Sequence, residues 1–470
     1  MKRFGLHKEN ELFSDGFFSK RDIHCLLLPL IAEQFLSYLV GLLDSVMVSS
    51  ARESAVAAVS LVDSVSILII NVFAAFATGG AIVAGQYLGS ADGDSARKTG
   101  HQMLFFLGIT SIVVTVILEF FSAGILHSLF GHADAAIKED CRVYYQITMY
   151  SVPFIALYNG GTALFRTTGN STIPMRISVI MNLINVAGNA VLIYGCKMGV
   201  AGVAIPTVFS RFIAMALFLI LASRREEELS LRGLWYNPQR IHSIGKVLKM
   251  GIPGGIENGI FQMGKILLFS MVSTLPAASV TANAVGNTVS TIQCVVGLSV
   301  NLGIVSVVSR CAGAGNYRHA RQYLQYMLRY MYIVQGIVCL LSIIAIPWIL
   351  KIYNVSAETG RLAAGIILIH GIAMITIWPL AFGVNTGMRA AGDVKFTMIV
   401  AVSSMWICRV GLGYVFTFLL KWGVWGIWYA WIIDWICRIA FFIPRYIGHK
   451  WEDKSVIKMH GRCVSFSNRK

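Results

Sequence analysis

The sequence predicts an all-α integral membrane protein of twelve transmembrane helices, arranged as two six-helix lobes. Three observations carry that reading. Apolar runs of spanning length follow one another along 470 residues, of which 56% are hydrophobic and only 13% charged. Positive charge is divided unevenly between alternate loops. Landmark residues recur about half a chain apart.

A helical span needs roughly 20 mostly apolar residues, whereas a soluble chain carries about 25% charged residues. Mean hydropathy here is +0.67. The runs place spans at 24–48, 55–84, 101–126, 142–165, 174–195 and 201–223, then at 245–274, 277–307, 323–349, 361–386, 396–420 and 423–447. They divide the chain into a polar segment 1–23, a first lobe 24–223, a charged linker 224–244, a second lobe 245–447 and a basic tail 448–470.

With both termini inside the cell, the inner loops collect Lys20, Arg21, Arg97, Lys98, Arg166, Arg176, Arg224, Arg225, Arg310, Arg318, Arg321, Arg389 and Lys395. The outer loops keep little beyond Arg52, Lys138, Lys197, Lys351 and Lys421. This is the positive-inside asymmetry. It accounts for the net charge of +16 and makes the bilayer, not nucleic acid, the expected partner. No cleavable signal pattern precedes the first span. Nine scattered cysteines and ten histidines show no ligand spacing, so neither a metal site nor a cofactor is expected. Compact loops point to a bacterial cytoplasmic (inner) membrane, and the protein is expected to be monomeric.

The repeat appears on shifting the chain by 223 or 224 positions. Pro29 meets Pro253, Glu33 meets Glu257, Gly80 meets Gly303, Arg166 meets Arg389, Gly169 meets Gly392 and Gly199 meets Gly423. Each repeat holds an even number of spans, so both enter the membrane in the same sense. A parallel pseudo-twofold axis along the membrane normal follows, as in some transporters. Two such lobes can rock to expose a central cavity to each side in turn. No nucleophile with its base, His cluster or facing Asp pair suggests an enzyme, and no filter-like repeat suggests a channel.

Ionisable groups inside hydrocarbon cost roughly 2.5–3.5 kcal/mol each on insertion scales, so each needs a reason. Glu33, Ser37, Gly41 and Asp44 share one face of the first span, with Asp44 the deepest acid. Ser178, Asn182, Asn185 and Asn189 form a similar stripe on the fifth. Asp44 with Asn185 and Asn189 reads as a site whose carboxylate is alternately loaded, by a proton or a sodium ion, and free. Asp63 on the second span and Asn287, its repeat partner on the eighth, add polar positions. So do Glu257, Gln262 and Lys265 on the seventh span, Asn283 on the eighth and His370 on the tenth. Interhelical hydrogen bonding explains Asn283 and Asn287 equally well. Glu33 and Glu257 sit where they can pair with Arg or Lys. Lys265 is expected to pair with Glu257 or a carboxylate of another span, and Asp434 with Arg438, four residues on, and with Arg409 of the span before. Trp422, Trp425, Trp428, Trp431 and Trp435 run through the last span. Their faces, Trp428 at the centre, together with Trp378 of the tenth span, are candidates for a cavity that takes flat organic cations, or for packing.

Several segments then resemble the multidrug and toxic compound extrusion (MATE) family over nearly the whole chain. They are LLDSVMVS in the first span, GQYLGSADGDSARK with its counterpart SRCAGAGNYRHAR, LFRTTGNSTIPM with MRAAGDVKFTM, and GCKMGVAGVAI with LKWGVWGIWYA. The resemblance implies a twelve-helix, two-lobe antiporter that exports organic cations or other amphipathic compounds while sodium ions or protons enter. It also implies that Asp44 matches the family's first-span aspartate, that Asn185 and Asn189 fall where the family has Asn and Asp, and that Thr207 lies near a threonine of that site. Asn189 therefore leaves Asp44 as the lone carboxylate. In the second lobe, Trp378 stands where some members carry a tenth-span acid, and their seventh-span acid falls near Gln262. No sodium site is expected there, and His370 is the alternative proton carrier. A lipid-linked sugar flippase of the same general fold is the rival function, against which the twelve-span count argues.

Overall fold

The computed structural model describes residues 17–49, 53–130, 134–223, 244–452 and 454–457. The outer parts of the segments at 1–23, 224–244 and 448–470, and with them the cytoplasmic placement of the termini, lie outside the described residues.

Every apolar run folds as helix, and no strand occurs among the described residues. In the first half these are α1 (Lys20–Ser49), α2 (Glu53–Gly89), α3 (Gly93–Phe120), α4 (Ser122–Phe130), α5 (Ala135–Met149), α6 (Val152–Thr167), α7 (Thr172–Ala190) and α8 (Ala201–Ala222). The second half holds α9 (Ile244–Ser273), α10 (Ala277–Gly313), α11 (Tyr317–Ile344), α12 (Ile346–Tyr353), α13 (Ala357–Thr376), α14 (Val384–Ala391), α15 (Val394–Ser404) and α16 (Val424–Ile447). Among the described residues, ten helices are long and apolar enough to cross a membrane. The two remaining sequence runs are α5–α6, interrupted at Tyr150–Ser151 just ahead of Pro153, and α9, which carries Lys246, Lys249, Glu257, Asn258, Gln262 and Lys265 along its length. Wider π turns extend α7 at Val191–Gly195, precede α14 at Pro379–Gly383, and follow α15 at Met405–Gly411 and Val415–Leu419.

The chain forms two compact units. One is Leu28–Gly255; the other joins the described residues of Met1–Leu27 to those of Ile256–Lys470. The opening turns of α1 thus belong to the second unit and those of α9 to the first, a crossover not visible in the lobe limits read from sequence. In the second unit, the Phe18 N–H donates to Tyr323 Oη and Tyr323 Oη donates to the Phe18 carbonyl, both at 2.9 Å. In the first, Lys246 Nζ donates to Tyr87 Oη at 2.6 Å. Pro29 and Pro253 lie inside α1 and α9 at the changeover, where a proline removes a helix hydrogen bond and permits a bend.

The opening turns of α9 come so close to α2 that only glycine fits. A Cβ at Gly79 would stand 2.7 Å from Gly251 N and 2.8 Å from its Cα, both backbone atoms that cannot turn aside. Gly79→Ala is expected to destabilise the protein by about 1–3 kcal/mol through overpacking. Gly336→Ala on α11, where nothing lies within 4 Å of a Cβ, is expected to leave the unfolding temperature unchanged or slightly raised. Thermal unfolding of the two variants in detergent checks this pair.

Features of one unit recur in the other at the repeat positions. Asp92 caps α3 with φ −97° and ψ 74°, accepting from Ser95 N, and Asn316 caps α11 with φ −94° and ψ 73°, accepting from His319 N. Gly169 and Gly392 both take positive φ, at 87° and 112°. Arg166 Nη2 pairs with Glu33 Oε1 at 2.7 Å, and Arg389 Nη1 with Glu257 Oε2 at 3.1 Å. The same acid–arginine clasp therefore ties the first helix of each half to the end of its fourth span.

Candidate functional site

The strongest polar constellation lies in the Leu28–Gly255 unit, where α1, α7 and α8 bring four sequence-selected residues together. Asp44 is half-buried, 24 residues into α1. Helical spacing sets Asn182, Asn185 and Asn189 on one side of α7, and all three are buried. Asn189 Nδ2 donates to Asp44 Oδ1 at 2.9 Å. The Asn185 amide has both of its polar atoms satisfied in one arrangement and not in the other. With its nitrogen towards the carboxylate it donates to Asp44 Oδ2 at 2.9 Å and Oδ1 at 3.1 Å, and its oxygen accepts from Thr207 Oγ1 at 3.1 Å. Turned over, its nitrogen donates to Thr207 Oγ1, whose hydroxyl then donates to the Val203 carbonyl at 2.9 Å. The first arrangement suits an ionised carboxylate. The second sets an amide oxygen against the carboxylate and needs a proton or a cation between them.

Asp63 on α2 lies within electrostatic reach of Asp44. It accepts from Tyr144 Oη at 3.1 Å and feels the charge of Arg211 on α8, whose Nη1 donates to Ser151 Oγ at 2.6 Å. Tyr144 and Arg211 did not stand out in the sequence, although an arginine midway along the apolar run 201–223 is itself a signal. Tyrosine carries no such signal, because only the packing of α5 on α2 shows what its hydroxyl meets. Asp44 and Asp63 are thus neighbouring carboxylates, with Arg211 charged beside the second.

In the second unit the selected residues are spread out. Glu257 is held by Arg389, so it does not serve Lys265. Lys265 is exposed, its Nζ 5.2 Å from the centre of the Phe261 ring, and the half-buried Gln262 lies one turn away on the same face. Arg409 donates twice to Asp434 Oδ2, at 3.1 and 2.7 Å, and Arg438 donates to Oδ1 at 3.0 Å. Asn283 accepts from Trp428 Nε1 at 3.1 Å, while Asn287 is half-buried. His370 Nδ1 lies 2.6 Å from Gln293 Oε1, and the imidazole is boxed by Trp428, Trp431 and Trp435. Both aromatic candidates sit in helix packing: Trp428 is 1% exposed against Val285, Ile366 and Val424, and Trp378 is 3% exposed and stacks on Phe382. Among the described residues, no group of three or more His, Cys, Asp or Glu is placed to hold a metal ion.

The chain and its fold have counterparts among known proteins. The chain is 25% identical over 436 residues to the uncharacterized transporter YisQ of Bacillus subtilis (strain 168), covering 91% of this chain and 94% of that one. It is 21% identical to a probable multidrug resistance protein NorM of Thermotoga maritima, over 93% and 94% of the two chains. The fold matches a multidrug resistance MATE family transporter of the MOP superfamily, solved in an outward-facing conformation, with a TM-score of 0.83 and 19% identity over 93% of this chain and 97% of that one. The sequence model of the MatE family matches twice, at residues 29–191 and 253–415, so that Pro29 and Pro253 head the two matches. The chain belongs to the MatE family of transporters.

Proposed function

We propose that the protein is a secondary antiporter exporting organic cations or other amphipathic compounds in exchange for protons or sodium ions. Its twelve spans form two six-helix lobes related by a parallel pseudo-twofold axis, and alternating access between the lobes moves the cargo outward. It works as a monomer without a cofactor in a bacterial cytoplasmic membrane, with both termini in the cytoplasm. Likeness to the probable multidrug resistance protein of Thermotoga maritima supports drug export, and the paired matches of the family support the two-lobe plan.

The observation that carries the coupling is the Asp44–Asn185–Asn189–Thr207 cluster. Ionised Asp44 takes amide donors from both asparagines. A proton or cation on the carboxylate turns the Asn185 amide over, and the Thr207 hydroxyl swings to the Val203 carbonyl. Loading Asp44 thereby rewires hydrogen bonds joining α1, α7 and α8, a local change of the kind that biases a two-state element. One carboxylate among neutral amides takes up a single charge per cycle.

The test is ethidium efflux from proteoliposomes holding the purified protein, under an imposed proton gradient and, separately, a sodium gradient. One of the two is expected to drive efflux above the leak of empty liposomes. Efflux at the leak rate under both would refute cation-coupled export.

A further inference from the structure

Among the described residues of the second unit, Lys265 on α9 is a cation with no carboxylate paired to it. Between residues 256 and 450 the chain has four carboxylates: Glu257, Glu358, Asp393 and Asp434. Glu257 is held by Arg389, Asp393 by Arg445, and Asp434 by Arg409 and Arg438 together. Glu358 is exposed in the first turn of α13. Among the described residues, no ion pair includes Lys265, which lies eight residues inside the end of α9 at Ser273.

Two features set this lysine apart from one that snorkels to the membrane surface. Its Nζ is drawn over Phe261, one turn towards the start of α9 and away from the nearer helix end. The surroundings of the same ring are already positive, with the Arg409 guanidinium 5.1 Å from Phe261 and 4.7 Å from Trp431. Asp434 neutralises only one of its two arginines, so Lys265, Arg409, Arg438 and Asp434 together leave two positive charges in an apolar, aromatic surrounding. Arg409 and Arg438 are 1% and 2% exposed, so Lys265 alone presents this excess to a ligand. Gln262 offers a polar neighbour on the same face.

We propose that Lys265, with the field of Arg409 behind it and Phe261 and Gln262 beside it, is a subsite for the acidic group of an amphipathic cargo. Carboxylates and sulfonates on flat aromatic bodies are the chemical class, as anions or as the acidic end of zwitterions. The subsite deepens the export reading and rests on it for its role in transport, but binding does not depend on a gradient.

Two xanthene dyes share a ring system and differ in charge: fluorescein, anionic at pH 7.5, and rhodamine 123, a cation. Their binding by fluorescence anisotropy to the full chain in phosphatidylcholine nanodiscs, compared among wild type, K265Q, K265R and K265E, tests the subsite. Wild type and K265R are expected to bind fluorescein, K265Q to bind it about tenfold more weakly, roughly 1.4 kcal/mol, and K265E not to bind it detectably. Rhodamine 123 should bind K265Q as it binds wild type, which shows that variant to be folded. Equal fluorescein affinity in wild type, K265Q and K265E, or no fluorescein binding to wild type, overturns the proposal. Because no gradient is imposed, failure of antiport leaves the dye result unchanged. Conversely, gradient-driven ethidium efflux alongside absent fluorescein binding removes the subsite and keeps the antiporter.

Discussion

Asp44→Asn is expected to reduce gradient-driven efflux to the leak of empty liposomes while leaving the protein folded. The substituted side chain has nearly the same shape and still reaches Asn189 and Asn185, so packing around α1 and α7 is preserved. It can neither release a proton nor balance a cation, and the exchange that turns the Asn185 amide has nothing to drive it. Asp63 does not replace it, since Tyr144 and the charge of Arg211 already engage that carboxylate. Asn189→Ala is expected to have a smaller effect. It removes the 2.9 Å amide donor to Asp44, a hydrogen bond to a charged group worth about 1.5–3 kcal/mol. Efflux in that variant should slow and persist, which initial rates from matched proteoliposomes will show.

Asp434→Ala is expected to be the most destabilising single change in the second unit. Asp434 is fully buried between Arg409 and Arg438, which are nearly so. Removing it leaves two guanidinium groups facing each other without an anion, a loss of about 3–5 kcal/mol for a broken buried pair. Replacing all three residues by apolar ones of similar size, as Asp434→Leu with Arg409→Met and Arg438→Met, should recover most of the loss, because the desolvation cost goes with the charges. Unfolding temperatures in detergent check both statements. If Asp434→Ala unfolds with wild type, the triad is not a stability element.

Hydropathy made the helices legible because a span must satisfy its backbone internally and face lipid with apolar side chains. The same signal is blind to how a helix is wound. Nothing in VLIYG or MWICRVG distinguishes a π turn from an α turn, and the break at Tyr150–Ser151 appears only with packing. Pro29 and Pro253 were visible as repeat partners, but their place at the crossover between units was not, because unit membership is a property of long-range contacts. Charges followed the same division. Arg438 four residues after Asp434 is a local pair that spacing announces. Arg409 was reachable as a lone intramembrane charge needing an anion. Glu257 could have met either an Arg or a Lys; it is taken by Arg389 from 132 residues away, which leaves Lys265 without it. The Asp44 cluster was half legible: periodicity aligned the asparagines on α7, and the resemblance supplied Thr207. Arg211 and Tyr144 join the neighbouring Asp63 only through the tertiary fold.

Proton release on cargo binding tests the central claim, exchange at Asp44, most directly. Ethidium is added to purified, weakly buffered protein near neutral pH with no sodium present, and released protons are read with a pH dye. The account predicts up to one proton released per protein, none from Asp44→Asn, and less from wild type as sodium is added if both cations share the site. Ethidium binding that releases no proton from wild type and is insensitive to sodium would contradict exchange at this carboxylate.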